Sequence, residues 1–183
     1  MIAMMLIRFT PISLSMSDSQ IILGLDPGFG RLGFGFITAS GGRLTALDYG
    51  IISTPADWTF AARLKQLGVD LEQLLSEHPP AVVGLEKLFF AKNAKTAMPV
   101  AEARGVISFI CAKHNLPVHE FAPATVKNSL TGNGRADKPA MQWMVREILH
   151  LPAAPKLDDA ADALALAICT AGVASLDNQA KTR

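Results

Sequence analysis

Apolar residues recur along this chain with a period of two in some stretches and about 3.6 in others, and the changes divide it into elements. IILGLD (21–26) is a short apolar run closed by Asp-Pro-Gly, which predicts a strand followed by a turn. GFGFITAS (33–40) and RLTALDYGIIST (43–54) are strand-like and meet through Gly41-Gly42, a hairpin signal. Over Thr59–His78, Leu64, Leu67, Leu71, Leu74 and Leu75 fall at helical spacing until Pro79-Pro80 stops the run. AVVGLE (81–86) predicts a buried strand and 93–115 a helix with Pro99 in its first turns. PVHEFA (117–122) predicts a further strand and 124–130 a short helix. TGNGRAD (131–137) is a loop whose Asp137 caps a helix to about His150, with Pro139 near its start. After Pro152 and Pro155, Asp158 or Asp159 opens a last helix to about Ser175. A meander of three strands followed by alternating strands and helices predicts an α/β fold, a mixed sheet with helices on both faces.

With 183 residues, half of them apolar and 18% charged, the chain is expected to form one globular domain, covering 21–175. Residues 1–20 are unlike the rest, rich in Met and Ser and broken by Pro11. No basic region precedes their apolar run, so a signal peptide is disfavoured. They are expected to be a disordered or spurious extension ahead of a start at Met16, and 176–183 a flexible tail. The longest apolar run, Ala163–Ala174, has 12 residues. A bilayer span needs about 20, so the expectation is a cytoplasmic protein without a membrane partner. Cys111 and Cys169 lie in apolar, helix-like stretches and are expected in the core. The four histidines show no metal-site spacing.

Net charge is +1, but residues 87–146 carry +6 between segments of −3 and −2. Clustered basic residues attract phosphate, and clustered carboxylates attract divalent metal. Gly28-Phe-Gly30-Arg-Leu-Gly33 fits a dinucleotide fingerprint, yet a strand follows where that motif needs a helix. Those glycines are better read as a tight turn and a close approach of backbone or substrate.

Four carboxylates remain. Asp26 ends the first apolar strand and Glu86 ends the strand 81–86. If those strands lie parallel and adjacent, the two acids meet, repel, and force a proton onto one of them unless a cation intervenes. Asp159 and Asp162 stand at i, i+3 in DDAADALALA and share a helix face. Ala161, Leu164, Ala165 and Ile168 should turn that helix onto the sheet. Oxygen-only ligation suits Mg²⁺, with Mn²⁺ able to substitute, and two such ions can clamp a phosphodiester for attack by water.

GLDPG (24–28), GLEKLFFAKNAKTA (84–97), ARG (103–105), ATVKNSLTGNGRADK (124–138) and DDAADALALA (158–167), in that order, resemble the bacterial RuvC Holliday-junction resolvase family. The similarity runs from about Ile21 to Ala174. It implies a ribonuclease-H-like fold with a five-stranded sheet ordered 3-2-1-4-5, and Asp26, Glu86, Asp159 and Asp162 as metal-binding catalytic residues, with Asp158 an additional acid beside them. It also implies a Mg²⁺-dependent homodimer that makes paired symmetric nicks in four-way junctions and works with the RuvA–RuvB machine. Lys127 and Lys138 match basic positions near the scissile phosphate, and Phe89 matches an aromatic that contacts an unstacked base. Arg104 would contact phosphate or support its helix. The helix 93–114, with Val100, Val106, Ile107 and Ile110, is a candidate for either dimer face or core. The competing readings are another ribonuclease-H-like nuclease, an actin/hexokinase-like phosphotransferase, which normally needs two such subdomains, and a catalytically inert DNA-binding module.

Overall fold

The computed structural model describes residues 19–28, 30–88 and 94–181. The expectations for Phe89 and for the first 18 residues fall outside them. Five strands form one sheet: β1 (Gln20–Pro27), β2 (Arg31–Ser40), β3 (Arg43–Ser53), β4 (Val82–Glu86) and β5 (Val118–Phe121). Their order is β3-β2-β1-β4-β5, with β1–β2 and β2–β3 antiparallel and β1–β4 and β4–β5 parallel. This is the α/β, ribonuclease-H-like arrangement that the resemblance implies.

Side chains alternate across the strands, so β1, β2 and β4 each serve two cores. Leu23, Leu25, Phe34, Phe36, Val83 and Leu85 pack on one face against α1 (Phe60–Glu77) and α2 (Ala94–Lys113). There they meet Leu67, Leu71 and Leu75 of α1 and Ile107 and Ile110 of α2. Ile22, Ile37 and Val82 point the other way. They pack with α3 (Pro123–Thr131), α4 (Lys138–Ile148) and α5 (Asp158–Lys181) through Val126, Leu130, Met141, Val145 and Leu164.

The ends of the helices follow local chemistry. Thr59 caps α1 by accepting from the Ala62 N–H, and Asp137 caps α4 by accepting from the Ala140 N–H. Gly132 ends α3 in the left-handed conformation at φ 71°. α5 continues to Lys181, six residues past its expected end.

The fit of α5 onto the sheet differs from the sequence reading in one respect. Ala160 to Ala167, except Asp162, are all buried, because α3 and α4 cover the outer side of the helix. The residues that meet the sheet are Asp159, Ala163, Leu164, Leu166, Ala167 and Thr170, so the expected Leu164 does lie against it, at Gly35, whereas Ile168 is only partly buried. A Cβ on Gly24 would overlap the Ala163 carbonyl oxygen and stand 2.6 Å from the Ala167 nitrogen. One on Gly33 would overlap the Asp159 carbonyl oxygen. The glycine-rich strands are thus the seat of a helix, and at Gly33 the close approach is made by α5.

Candidate active site

The pleat that builds the cores also aims the acids. On β1, Ile22 and Gly24 face α5, and Asp26 is the next residue on that side. On β4, Val82 and Gly84 face α5, and Glu86 is the next. The register pairs Leu25 with Leu85, which brings Asp26 and Glu86 side by side at the carboxyl ends of two parallel strands. In α/β sheets that end is where sites form. Because Gly33 lets the first turn of α5 press onto β2, Asp159 and Asp162 arrive over the same spot.

The electrostatics register this convergence. Asp26 is pushed up to about 8, first by burial and then by Glu86, Asp162 and Asp159 around it. It shares a side-chain hydrogen bond with Glu86, so the pair holds a proton between its two carboxyl groups. Burial also raises Glu86, against the pull of that hydrogen bond and of Arg104. Asp162 is raised by burial and by Asp158 and Asp159, and drawn back by Lys138 and Lys127.

Basic side chains ring the acids. Lys138 donates to Asp158 at 2.8 Å, and Gln142 donates to the other oxygen of Asp158 at 2.9 Å. Lys127 donates to the Ala136 carbonyl at 2.7 Å, which ties α3 to the loop before α4. Arg104, with 12% of its side chain exposed, donates to the Glu86 carbonyl at 2.9 Å and pairs with Glu120. Arg31 Nε lies 2.6 Å from Asp159 Oδ2.

All four acids singled out from the sequence therefore meet in one place. Lys127 and Lys138 stand close enough to Asp162 to influence it, and Arg104 supports the backbone of Glu86. Two participants escaped the sequence reading, Arg31 and Gln142. Arg31 could have been found from its phase, since it lies on β2 two residues before Gly33 and so on the side facing α5. Gln142 lies one turn along α4 from Lys138, on a helix whose orientation only packing sets. Cys111 and Cys169 are buried free thiols, pushed up to about 11 by burial, as expected of core residues.

The donor set is all carboxylate oxygen on packed elements, which suits Mg²⁺ or Mn²⁺. A divalent cation there would relieve the mutual repulsion that holds the proton on Asp26. The side chains as placed do not yet form a ligand cage. Among the described residues no group of three or more His, Cys, Asp or Glu is poised to hold an ion. In this arrangement Asp26 shares a hydrogen bond with Glu86, and Asp159 is paired with Arg31.

Known proteins share both the sequence and the fold of this chain. A family profile described as Crossover junction endodeoxyribonuclease RuvC matches residues 22–170. The chain is 48% identical over 152 residues to the RuvC of Heliobacterium modesticaldum, covering 83% of this chain and 94% of that one. It is 49% identical over 148 residues to the RuvC of Thermomicrobium roseum, covering 81% and 90%. Among solved structures it is similar to Thermus thermophilus RuvC, with a TM-score of 0.80, 29% identity and coverage of 86% and 97%. The same protein in complex with a Holliday junction substrate gives a TM-score of 0.81 at 29% identity over 87% and 97%. The yeast mitochondrial Holliday junction resolvase, at 14% identity and a TM-score of 0.57, shares the fold. With the profile spanning most of the chain and close relatives matched nearly end to end, this chain belongs to the RuvC family of crossover junction endodeoxyribonucleases.

Proposed function

We propose that this chain is a Mg²⁺-dependent endonuclease that resolves four-way DNA junctions by paired symmetric nicks, as one domain covering 21–175. The observation that carries the reading is the convergence of Asp26, Glu86, Asp159 and Asp162 at the carboxyl ends of β1 and β4. The Holliday junction bound to its Thermus relative supports the choice of substrate. Asp26, Glu86, Asp159 and Asp162 would hold the metal. When bound, a pair of divalent ions supplies a water of lowered pKa and charge to stabilise the leaving oxygen.

The chain's own residues do the rest. Asp26 gives up the proton it shares with Glu86, so that both can act as ligands. Lys127 and Lys138, whose charge already acts on Asp162, bring positive charge to the scissile phosphate without reading its base. Arg104 acts as a positioning residue: its guanidinium fixes the Glu86 backbone and is neutralised by Glu120. Phe89 keeps its proposed place against an unstacked base, where stacking is worth about 1–3 kcal/mol.

A homodimer matches the approximate two-fold symmetry of a junction. Ile107 and Ile110 of α2 are buried in the core, and Val106 packs against it. Among its described residues, the large apolar side chains that α2 leaves outside are Met98, 70% exposed, and Phe109, 68% exposed. We assign the dimer contact to that outer stripe. No helix among the described residues is long and apolar enough to cross a membrane, and a cytoplasmic enzyme working with RuvA–RuvB fits the family.

The test is incubation with a mobile four-way junction and Mg²⁺, beside linear duplex and an RNA–DNA hybrid. Paired nicks in the junction alone are expected. Cleavage of the hybrid in preference would move the chain to another ribonuclease-H-like activity, and cleavage in chelator would remove the metal from the mechanism.

A further inference from the structure

Arg31 opens β2 on the side facing α5, the side it shares with Gly33 and Gly35. The strand pleat therefore directs it at the first turn of α5. Its Nε forms a 2.6 Å ion pair with Asp159 Oδ2, with 58% of the Arg31 side chain and 24% of the Asp159 side chain exposed. The four converging acids are not equally served. Asp26 and Glu86 bond to each other, and Arg104 reaches only the backbone carbonyl of Glu86. Among the described residues, Asp159 is the member of the four with a direct ion pair to a basic side chain.

We propose that Arg31 is a resident counter-cation of Asp159 that must be displaced before Asp159 can join Asp26, Glu86 and Asp162 around a divalent ion, so that Arg31 sets the metal concentration at which the site loads. The inference rests on the metal-centre reading above. Its basis is competition for one oxygen: a guanidinium hydrogen-bonded to Asp159 Oδ2 occupies the direction an ion would need. A partly exposed pair is weak and screened by salt, so Arg31 tunes loading without preventing it. Once released, its charge remains beside the site.

The experiment is titration of the full-length protein with Mn²⁺ at low ionic strength without DNA, following free Mn²⁺ by electron paramagnetic resonance. Arg31→Met keeps most of the stem and removes the charge; it should tighten Mn²⁺ binding about two- to fivefold. Arg31→Lys keeps the charge and should stay near the wild-type Kd. In an Asp159→Asn background, Arg31→Met should bring no further gain. An unchanged or weaker Kd in Arg31→Met, or an equal gain in the Asp159→Asn background, overturns the proposal. Asp26→Asn separates this from the underlying reading. If it leaves wild-type Mn²⁺ binding undiminished, the metal centre itself is misassigned; if it weakens binding while Arg31→Met has no effect, only the role of Arg31 fails.

Discussion

A carboxylic acid that keeps its proton to about pH 8 pays a large penalty for ionising, and Asp26 is such a group because burial and three other acids surround it. Its folded value lies above its ordinary 3.8, so folding takes up a proton. That contribution to stability is complete below about pH 4 and is lost as pH rises towards 8. Glu86 and Asp162 shift in the same direction and add to it. Metal-free protein in chelator should therefore melt at a lower temperature at pH 8 than at pH 5, and Mg²⁺ should narrow the gap. A melting temperature that rises across that window would contradict the clustering. Asp26→Asn should keep junction binding, lose cleavage, and raise the melting temperature in chelator at pH 8. One pKa unit is about 1.4 kcal/mol, so even part of the shift gives about 3–6 °C for a chain of this length. For Lys127→Ala or Lys138→Ala, nicking should slow by about 10²-fold or more, in keeping with the loss of one preorganised cationic contact. Circular dichroism should stay unchanged, and an undiminished nicking rate would remove these lysines from the site.

Among the elements, α5 matters most, because its first two turns carry two of the acids and its body is seated on glycine. The seat is a steric device. Gly24→Ala would drive a Cβ into the Ala163 carbonyl, and the helix would have to lift. Such overpacking costs about 1–3 kcal/mol or more, because backbone on both sides must move. Chemical denaturation should show that loss, and activity should fall further than stability, since lifting α5 also withdraws Asp159 and Asp162. Wild-type activity in a folded Gly24→Ala variant would show that the site tolerates a shift of its own scaffold. Arg104→Ala belongs to this scale too. It leaves Glu86 present but frees the end of β4, so metal affinity should weaken with little change in global stability.

For the whole molecule, the consequence of α2 is a division of labour between its faces. Its inner face, with Ile107 and Ile110, closes the core against α1, and its outer stripe carries Met98 and Phe109. Phe109→Asp should yield a folded monomer by sedimentation and convert paired nicks into single, unpaired ones. A dimer that persists in this variant would place the contact elsewhere.

Much of this was legible before any coordinates. The strands, the cap at Asp137, the core cysteines and the four acids depend on local period, turn chemistry and side-chain type, which neighbours in sequence determine. The alternation along β1 from Ile22 to Asp26 is a local property too, because a pleat turns successive side chains to opposite faces. Tertiary structure decided what depends on distant partners. It buried nearly all of residues 160–170 of α5, because α3 and α4 roof them. It turned Gly33 into a contact for a helix, and put Ile107 and Ile110 into the core while leaving Met98 and Phe109 exposed. It also placed Arg31 on Asp159, a pairing between residues 128 positions apart that no local pattern encodes, because a salt bridge depends on where two elements come to rest.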